Sequence, residues 1–405
     1  MSLYLTALNP TDALTLGFLP AAARLGLDTV ILTDDPASHR AAYARVPHPP
    51  TAVEHADVRD AGAVAARVLG LEGRHGRATA VLSNSDHLQA ATALAASLLA
   101  LPAKDWRAAL RCKNKFLTRR ALADAGLDTV ASVQLDPEDD AAAAAAAVPY
   151  PAVVKPCEGV ASEDVVLVQS PADLLETVAG IRRRRPGAGL VVEEYLSGEL
   201  HTFETLGDGR SLHVLGSWRT SLGPPPSFTE SRRDWEPELP DAVVRDLLAQ
   251  LAALGVGLGA CHTEFVLQGD RARIIEVNYR LIGDTMDLIY SELLGVDLFE
   301  QVIRVHSGQR LPADLPEPVS LDRCAHLRYV TAQRAGTLVE APEDGVFADA
   351  VRLRHRRLRE LGVTAPLHGT NRDYLSVVHA IGLRSDDAAG AVEAFIARNS
   401  WKVRA

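Results

Sequence analysis

Cys261-His262-Thr263-Glu264-Phe265-Val266-Leu267, then Gln268-Gly269-Asp270-Arg271, then Ala272-Arg273-Ile274-Ile275-Glu276-Val277-Asn278-Tyr279-Arg280 reads as two strands around a tight turn. Strand side chains alternate between faces. Alternation places Ile274, Glu276, Asn278 and Arg280 on one face, and Ile275, Val277 and Tyr279 on the other. The polar face gathers a carboxylate, an amide oxygen and a guanidinium at ~7 Å steps. Register decides whether Glu264 joins them. A three-residue loop at Gly269–Arg271 sets Glu264 opposite Glu276, whereas a two-residue turn sends the two carboxylates to opposite faces. Two carboxylates and an amide are hard oxygen ligands, suited to Mg²⁺ on nucleotide phosphates. An exposed, idle polar face is the competing reading, but a Glu-x-Asn face among Ile and Val favours a site that uses its oxygens.

Outward from the hairpin, two lysines sit on separate elements: Lys155 in Ala-Val-Val-Lys-Pro, and Lys115 in Cys112-Lys113-Asn114-Lys115-Phe116. An ammonium serves phosphate as a point charge. The loop Glu158–Asp164 between them and the next strand is not a Walker A loop, which needs G-x-x-x-x-G-K-[ST]. Val192-Glu193-Glu194-Tyr195-Leu196-Ser197-Gly198-Glu199 is an apolar strand with a polar end, able to offer backbone groups to a base edge.

The first hundred residues alternate strands (Leu3–Leu8, Thr29–Thr33, Ala78–Ser83) with helices, the first after a capping turn at Asn9–Asp12. That rhythm predicts a parallel sheet with ligand-facing loops at the carboxyl ends of its strands. No G-x-G-x-x-G follows the first strand. Helices are expected over Ala108–Gly126, over the alanine run within Asp136–Val148 (a surface helix), over 241–254 and over 285–307. Strands are expected at Ala152–Pro156, Val165–Val168 and Leu190–Leu196, a loop at Pro224–Phe228, and a mixed α/β tail to Ala405.

Composition bounds the rest. The 405 residues, 47% hydrophobic and 23% charged, suit two or three soluble domains. A net charge of −10 argues against nucleic acid and anionic membrane as partners. Arg182–Arg185 reads as a solvated helix end. Four scattered cysteines form no zinc or disulfide framework, and neither a signal peptide nor an apolar span is evident, so a cytoplasmic protein is expected.

In this order, the segments resemble the ATP-grasp superfamily, especially its amino-acid and peptide ligases, over roughly residues 1 to 310. The spacing of Glu264 and Glu276, followed by Asn278 and Arg280, carries the resemblance most specifically. It implies a fold that is α/β and α+β: an N-terminal parallel α/β domain over 1–110, then an ATP-grasp fold over 111–310. In that fold two α+β subdomains (113–200 and 201–310) grip ATP, and 311–405 completes it. It further implies that Glu264, Glu276 and Asn278 bind two Mg²⁺ ions, for which Mn²⁺ could substitute, and that Arg280 faces the transferred phosphate. Lys115 and Lys155 match the phosphate lysines, with Lys113 as the alternative to Lys115. Glu193, Glu194 and Leu196 match the adenine hinge, Glu199 the ribose contact, and the loop 158–164 with Ser162 the flap over the phosphates. Three positions depart from the pattern: Tyr279 replaces the usual proline, the flap has few Gly and Ser, and His201 replaces an acid.

The implied activity is an ADP-forming ligase acting on small-molecule carboxylate and amine substrates, making a dipeptide, siderophore or antibiotic precursor. A homodimer is admitted. The alternatives are an ATP-grasp carboxylase or purine-pathway-type ligase and, in another class, a non-catalytic nucleotide-binding regulator. Arg219, Thr220, Ser221 and the loop Pro224–Arg233 are either substrate contacts or a lid.

Overall fold

The structure is a computed structural model that describes residues 1–223, 228–348 and 351–405; most of the loop expected at Pro224–Phe228 lies outside the described residues. Leu3-Tyr4-Leu5 is an unbroken apolar run, as suits a strand covered on both faces. It forms β1 (Ser2–Thr6), which pairs in parallel with β2 (Asp28–Thr33) on one side and β4 (Ala78–Leu82) on the other. Strand β3 (Ala52–His55) completes the order β3-β2-β1-β4. It was missed from sequence because it is a short edge strand after two prolines, half exposed, with Glu54 and His55 at its end.

Asp12 makes no capping bond to the helix after β1 and instead pairs with Arg356 at 2.5 Å. That helix begins with a π turn, Ala13–Phe18, and becomes α at Leu19–Arg24. Pro20 has no N–H to close the ordinary ladder at that point, which accounts for the widened turn. Gly17 is required there: a Cβ would lie 2.3 Å from the Phe299 ring. Its absence lets this helix dock on the helix Leu298–His306, with Phe18 edge-on to Phe299.

Two expected helices are each broken in two. Residues 108–126 form Trp106–Lys113 and Lys115–Asp124, because Asn114 leaves helical geometry and its side chain accepts from Leu117 N at 3.1 Å as a cap. Residues 285–307 form Met286–Leu294 and Leu298–His306, separated by Gly295 at φ +68° and capped by Asp297. The alanine run forms Ala141–Ala147, but it is not merely a surface helix. Ala141, Ala144 and Ala145 are buried in one cluster with Leu174, Val178 and Ile181.

A second sheet joins β5 (Ser132–Leu135), β6 (Ala152–Pro156), β7 (Val166–Val168) and β8 (Leu190–Glu194) in the antiparallel order β5-β8-β6-β7. Among the described residues the large sheet has nine strands. It begins with β13 (Arg271–Asn278), β12 (Leu258–Gln268), β9 (Glu199–Asp208), β10 (Leu212–Leu222) and β11 (Glu230–Trp235), and continues through Cys324–Thr331, Tyr374–Gly382, Arg352–Arg357 and Gly345–Ala348. The helix Asp241–Leu254 falls where expected and buries Val243, Leu247, Leu251 and Leu254 in the cluster that holds the hairpin's core face. The tail is mixed, as expected, with a helix at Ser385–Arg398. All four cysteines are free. No described helix is long and apolar enough to cross a membrane.

Candidate active site

The hairpin reaches the expected pairing by an unexpected route. Gln268 pairs with Arg271, so the turn has two residues, Gly269 and Asp270, with Gly269 at φ +63°. Left regular, that turn would separate the two carboxylates. A bulge prevents it: Phe265 pairs with Ile274, yet Glu264 pairs with Glu276, leaving Ile275 as the extra residue. The bulge also corrects the face assignment. Ala272, Ile274, Val277 and Tyr279 enter the core, while Ile275, Glu276, Asn278 and Arg280 line a cavity. Tyr279, at the expected proline position, is held in that core, and its hydroxyl accepts from Gly257 N at 2.8 Å and Leu258 N at 3.0 Å.

The cavity has a volume of about 330 Å³ and lies where the small sheet, the flap loop and the hairpin converge. Every residue expected to hold nucleotide, metal or transferred phosphate lines it except Glu199 and the alternative lysine Lys113. Glu199, at the start of β9, lines only an adjoining recess, with Arg219, Thr220, Ser221 and Asp234, whereas Leu200 lines both. His201 is also elsewhere, buried and stacked on Phe265.

Asn114 sends the two candidate lysines in different directions. The helix break turns Lys113 to Asp86, whereas Lys115 reaches the cavity with Nζ 3.0 Å from Glu276 and 3.2 Å from the Gly159 carbonyl. Burial presses the Lys115 ammonium down, and the carboxylates of Glu276 and Asp86 more than offset it, so its pKa lies above the ordinary value. Lys155, on β6, is equally buried and contacts Glu193. Burial dominates at Lys155 and lowers its pKa despite that partner. The Glu193 carboxylate also accepts from Arg119 Nε at 2.8 Å; the two cations outweigh its burial and hold it at about 2. Past the end of β8, Tyr195 N donates to Pro151 O at 3.0 Å, and Leu196 N makes no backbone hydrogen bond among the described residues.

The flap is clasped by charge. Asp164 accepts from Arg184 at 2.6 Å and Arg185 at 2.5 Å, and Glu163 from Arg185 at 2.6 Å and from Arg372. The arginine run is therefore not just a solvated helix end. Ser162, at φ +57°, donates to Phe228 O at 3.2 Å.

Several lining groups were not singled out from sequence. His262 is buried between Glu204 (2.6 Å) and Glu264 (3.3 Å). Burial opposes its charge, but the two carboxylates raise it to about 9. Arg233 is buried, paired with Glu230, and its Nη1 has no partner among the described residues. Asp284 also lines the cavity. The His262–Glu204 contact comes from pairing of distant strands, whereas His262–Glu264 and Glu230–Arg233 are close in sequence, an i,i+2 and an i,i+3 signal that could have been read. Arg233 turns one end of the 224–233 segment into a lining contact, whereas Arg219, Thr220 and Ser221 face the adjoining recess.

The donor set fits Mg²⁺. Glu264, Glu276 and Asn278 all line the cavity, and among the described residues no group of three or more His, Cys, Asp or Glu makes a self-sufficient cage. Mg²⁺ is commonly held this way, by one or two carboxylates with phosphate and water completing the shell.

A family model of an ATP-grasp domain matches residues 112–284. Among curated proteins, the chain is 28% identical over 332 residues to the uncharacterized protein y4rH of Sinorhizobium fredii, covering 79% of this chain and 66% of that one. It is 27% identical over 337 residues to the ATP-grasp enzyme fsqD of Aspergillus fumigatus, covering 71% and 56%. The chain thus spans somewhat under two thirds of these relatives' lengths. Its fold is similar to that of an L-amino acid ligase from Bacillus licheniformis, with a TM-score of 0.80 at 20% identity over 100% and 99% of the two chains. The expected ATP-grasp architecture is borne out.

Proposed function

We propose that this chain, whose residues 112–284 form an ATP-grasp domain, is an ADP-forming ligase that activates a carboxylate as an acyl phosphate and joins it to an amine in a small molecule. One observation carries the reading: the cross-strand pair Glu264 and Glu276 and the ammonium groups of Lys115 and Lys155 all face one cavity. Carboxylates and buried lysines lining one cavity suit a phosphate chain with its metal, the phosphate taking over the Lys115 ammonium that Glu276 now holds at 3.0 Å.

A carboxylate is a poor acyl donor because oxide would have to leave. Its oxygen attacks the γ-phosphorus of ATP, ADP departs, and the resulting acyl phosphate has a good leaving group. Lys115 and Lys155 hold phosphate oxygens, Ser162 and the flap exclude water, and the Leu196 N–H meets the adenine edge. Glu264, Glu276 and Asn278 would hold two Mg²⁺ ions, which supply charge neutralisation on the phosphates when bound. Arg280 counters negative charge on the transferred phosphoryl and on the tetrahedral adduct, and Arg233 offers its unpartnered N–H to the substrate carboxylate. The amine attacks the carbonyl carbon, the C–O bond to phosphate breaks, and an amide and inorganic phosphate are released. Four unpaired cysteines support a cytoplasmic setting.

The test is ADP release from ATP against pooled carboxylates and amines. The reading expects release that requires one member of each pool. Release indifferent to both pools would contradict it.

A further inference from the structure

Lys115 and Lys155 each pair with a carboxylate that has to release them before a phosphate can be held. Lys115 lies 3.0 Å from Glu276, and Lys155 contacts Glu193. All four groups line the nucleotide cavity. The two exchanges differ in what becomes of the carboxylate left behind. Glu276 belongs to the Mg²⁺ donor set, so a metal can take it as phosphate takes Lys115. Glu193 is outside that set, and it is buried. Breaking a buried ion pair by removing one partner is strongly destabilising. Lys155 is therefore free to leave only if Glu193 keeps another cation.

Arg119 supplies it. This arginine lies on the helix Lys115–Asp124, is buried, and is not among the residues that line the cavity. Its Nε donates to Glu193 Oε2 at 2.8 Å, and its Nη1 donates to Asp128 at 3.1 Å and to the Ile274 carbonyl. Asp128 is held in turn by Arg273 at 3.0 Å. These contacts anchor the guanidinium behind the cavity wall, so Glu193 sits between one fixed cation and one that faces the cavity.

The electrostatics of the two cations differ in the same sense. Burial lowers the pKa of both. At Arg119 the carboxylates of Glu193 and Asp128 more than offset it, whereas at Lys155 burial wins. Lys155 is the less well compensated of the pair and gains more from a phosphate.

We infer that Arg119 is a positioning residue for nucleotide binding: it keeps Glu193 paired while phosphate takes Lys155, and without it Glu193 retains the lysine. It acts through Glu193 and Lys155 and touches no nucleotide itself. The inference rests on the nucleotide reading of the cavity.

Calorimetric titration of the full chain at fixed Mg²⁺ with ATP, inorganic tripolyphosphate and adenosine tests this. Tripolyphosphate reads the phosphate contacts alone, and adenosine reads the base pocket alone. Arg119→Gln should weaken ATP and tripolyphosphate by at least ~10-fold, the scale of a charge-assisted contact, and leave adenosine within ~2-fold. Adding Glu193→Gln to that variant should recover at least ~5-fold of the loss, because the lysine then has no carboxylate to retain it. Glu193→Gln alone leaves Arg119 anchored on Asp128. It should tighten tripolyphosphate by ~5-fold or more, and it decides the matter if Arg119→Gln does not fold. Equal losses of adenosine and tripolyphosphate in Arg119→Gln would mean a merely structural arginine and overturn the inference. No recovery in the double variant, or no tightening in Glu193→Gln, would overturn it too. A folded wild type that binds none of the three probes would contradict the nucleotide reading itself.

Discussion

Replacing Glu276 with Gln keeps the side chain's shape and removes one negative charge from the cavity. Two effects separate cleanly. The first concerns stability. Glu276 is the buried Lys115 ammonium's carboxylate partner at 3.0 Å, and the Gln carbonyl can still accept while the Gly159 carbonyl stays at 3.2 Å. The loss is then the charged share of one hydrogen bond, about 1–2 kcal/mol, rather than the ~3–5 kcal/mol of an abandoned buried ion. The second concerns turnover. A carboxylate that places phosphate-bound metal contributes to the transition state, and its loss should lower kcat by ~10³ or more, about 4 kcal/mol. A third consequence follows from the Lys115 contact: without the competing carboxylate, Lys115 is freer for phosphate, so ATP affinity in chelator should hold or rise up to ~10-fold. Thermal unfolding, steady-state ADP release and calorimetry in EDTA read the three separately. A folded Glu276→Gln protein with wild-type turnover would refute the reasoning.

Lys155→Ala should weaken ATP binding by ~10- to 100-fold, the worth of a charge-assisted phosphate contact, while Arg119 continues to hold Glu193 at 2.8 Å; unchanged affinity in the folded variant would remove Lys155 from the site. His262 carries a pKa raised from 6.5 to about 9, so its stabilising contribution is complete below pH ~6.5 and is lost as pH rises through ~9. That contribution is about 3 kcal/mol. Urea unfolding of the wild type should therefore lose about 3 kcal/mol more than His262→Gln between pH 6.5 and 10; parallel pH profiles would count against the buried Glu204–His262–Glu264 arrangement.

Much of this architecture is readable from local chemistry. Leu3-Tyr4-Leu5, the amphipathic 241–254 helix and the polar face of the hairpin each declare their element. What escaped depends on single residues whose effect is geometric. Asn114 looks like any polar helix residue until its side chain caps Leu117, which sends Lys113 and Lys115 in different directions. Ile275 reads as one more core residue, yet as the bulge it restores the Glu264–Glu276 pairing that the two-residue turn would have destroyed. Arg233 fell within a segment named only as a whole, 224–233, and Asp284 lies in the irregular stretch between β13 and the next helix, where no periodicity reports which way a side chain turns. Glu199 lines the adjoining recess rather than the cavity, a placement that a motif, which counts positions, does not report.

The acyl phosphate is tested most directly with a carboxylate substrate labelled with ¹⁸O in both oxygens, turned over with ATP and amine. If the carboxylate attacks the γ-phosphorus, one labelled oxygen stays with the phosphate when the amine displaces it. Mass spectrometry should then find one ¹⁸O in each inorganic phosphate, none in ADP, and one in the amide. Label in AMP with release of pyrophosphate, or unlabelled phosphate beside a formed amide, would contradict the account.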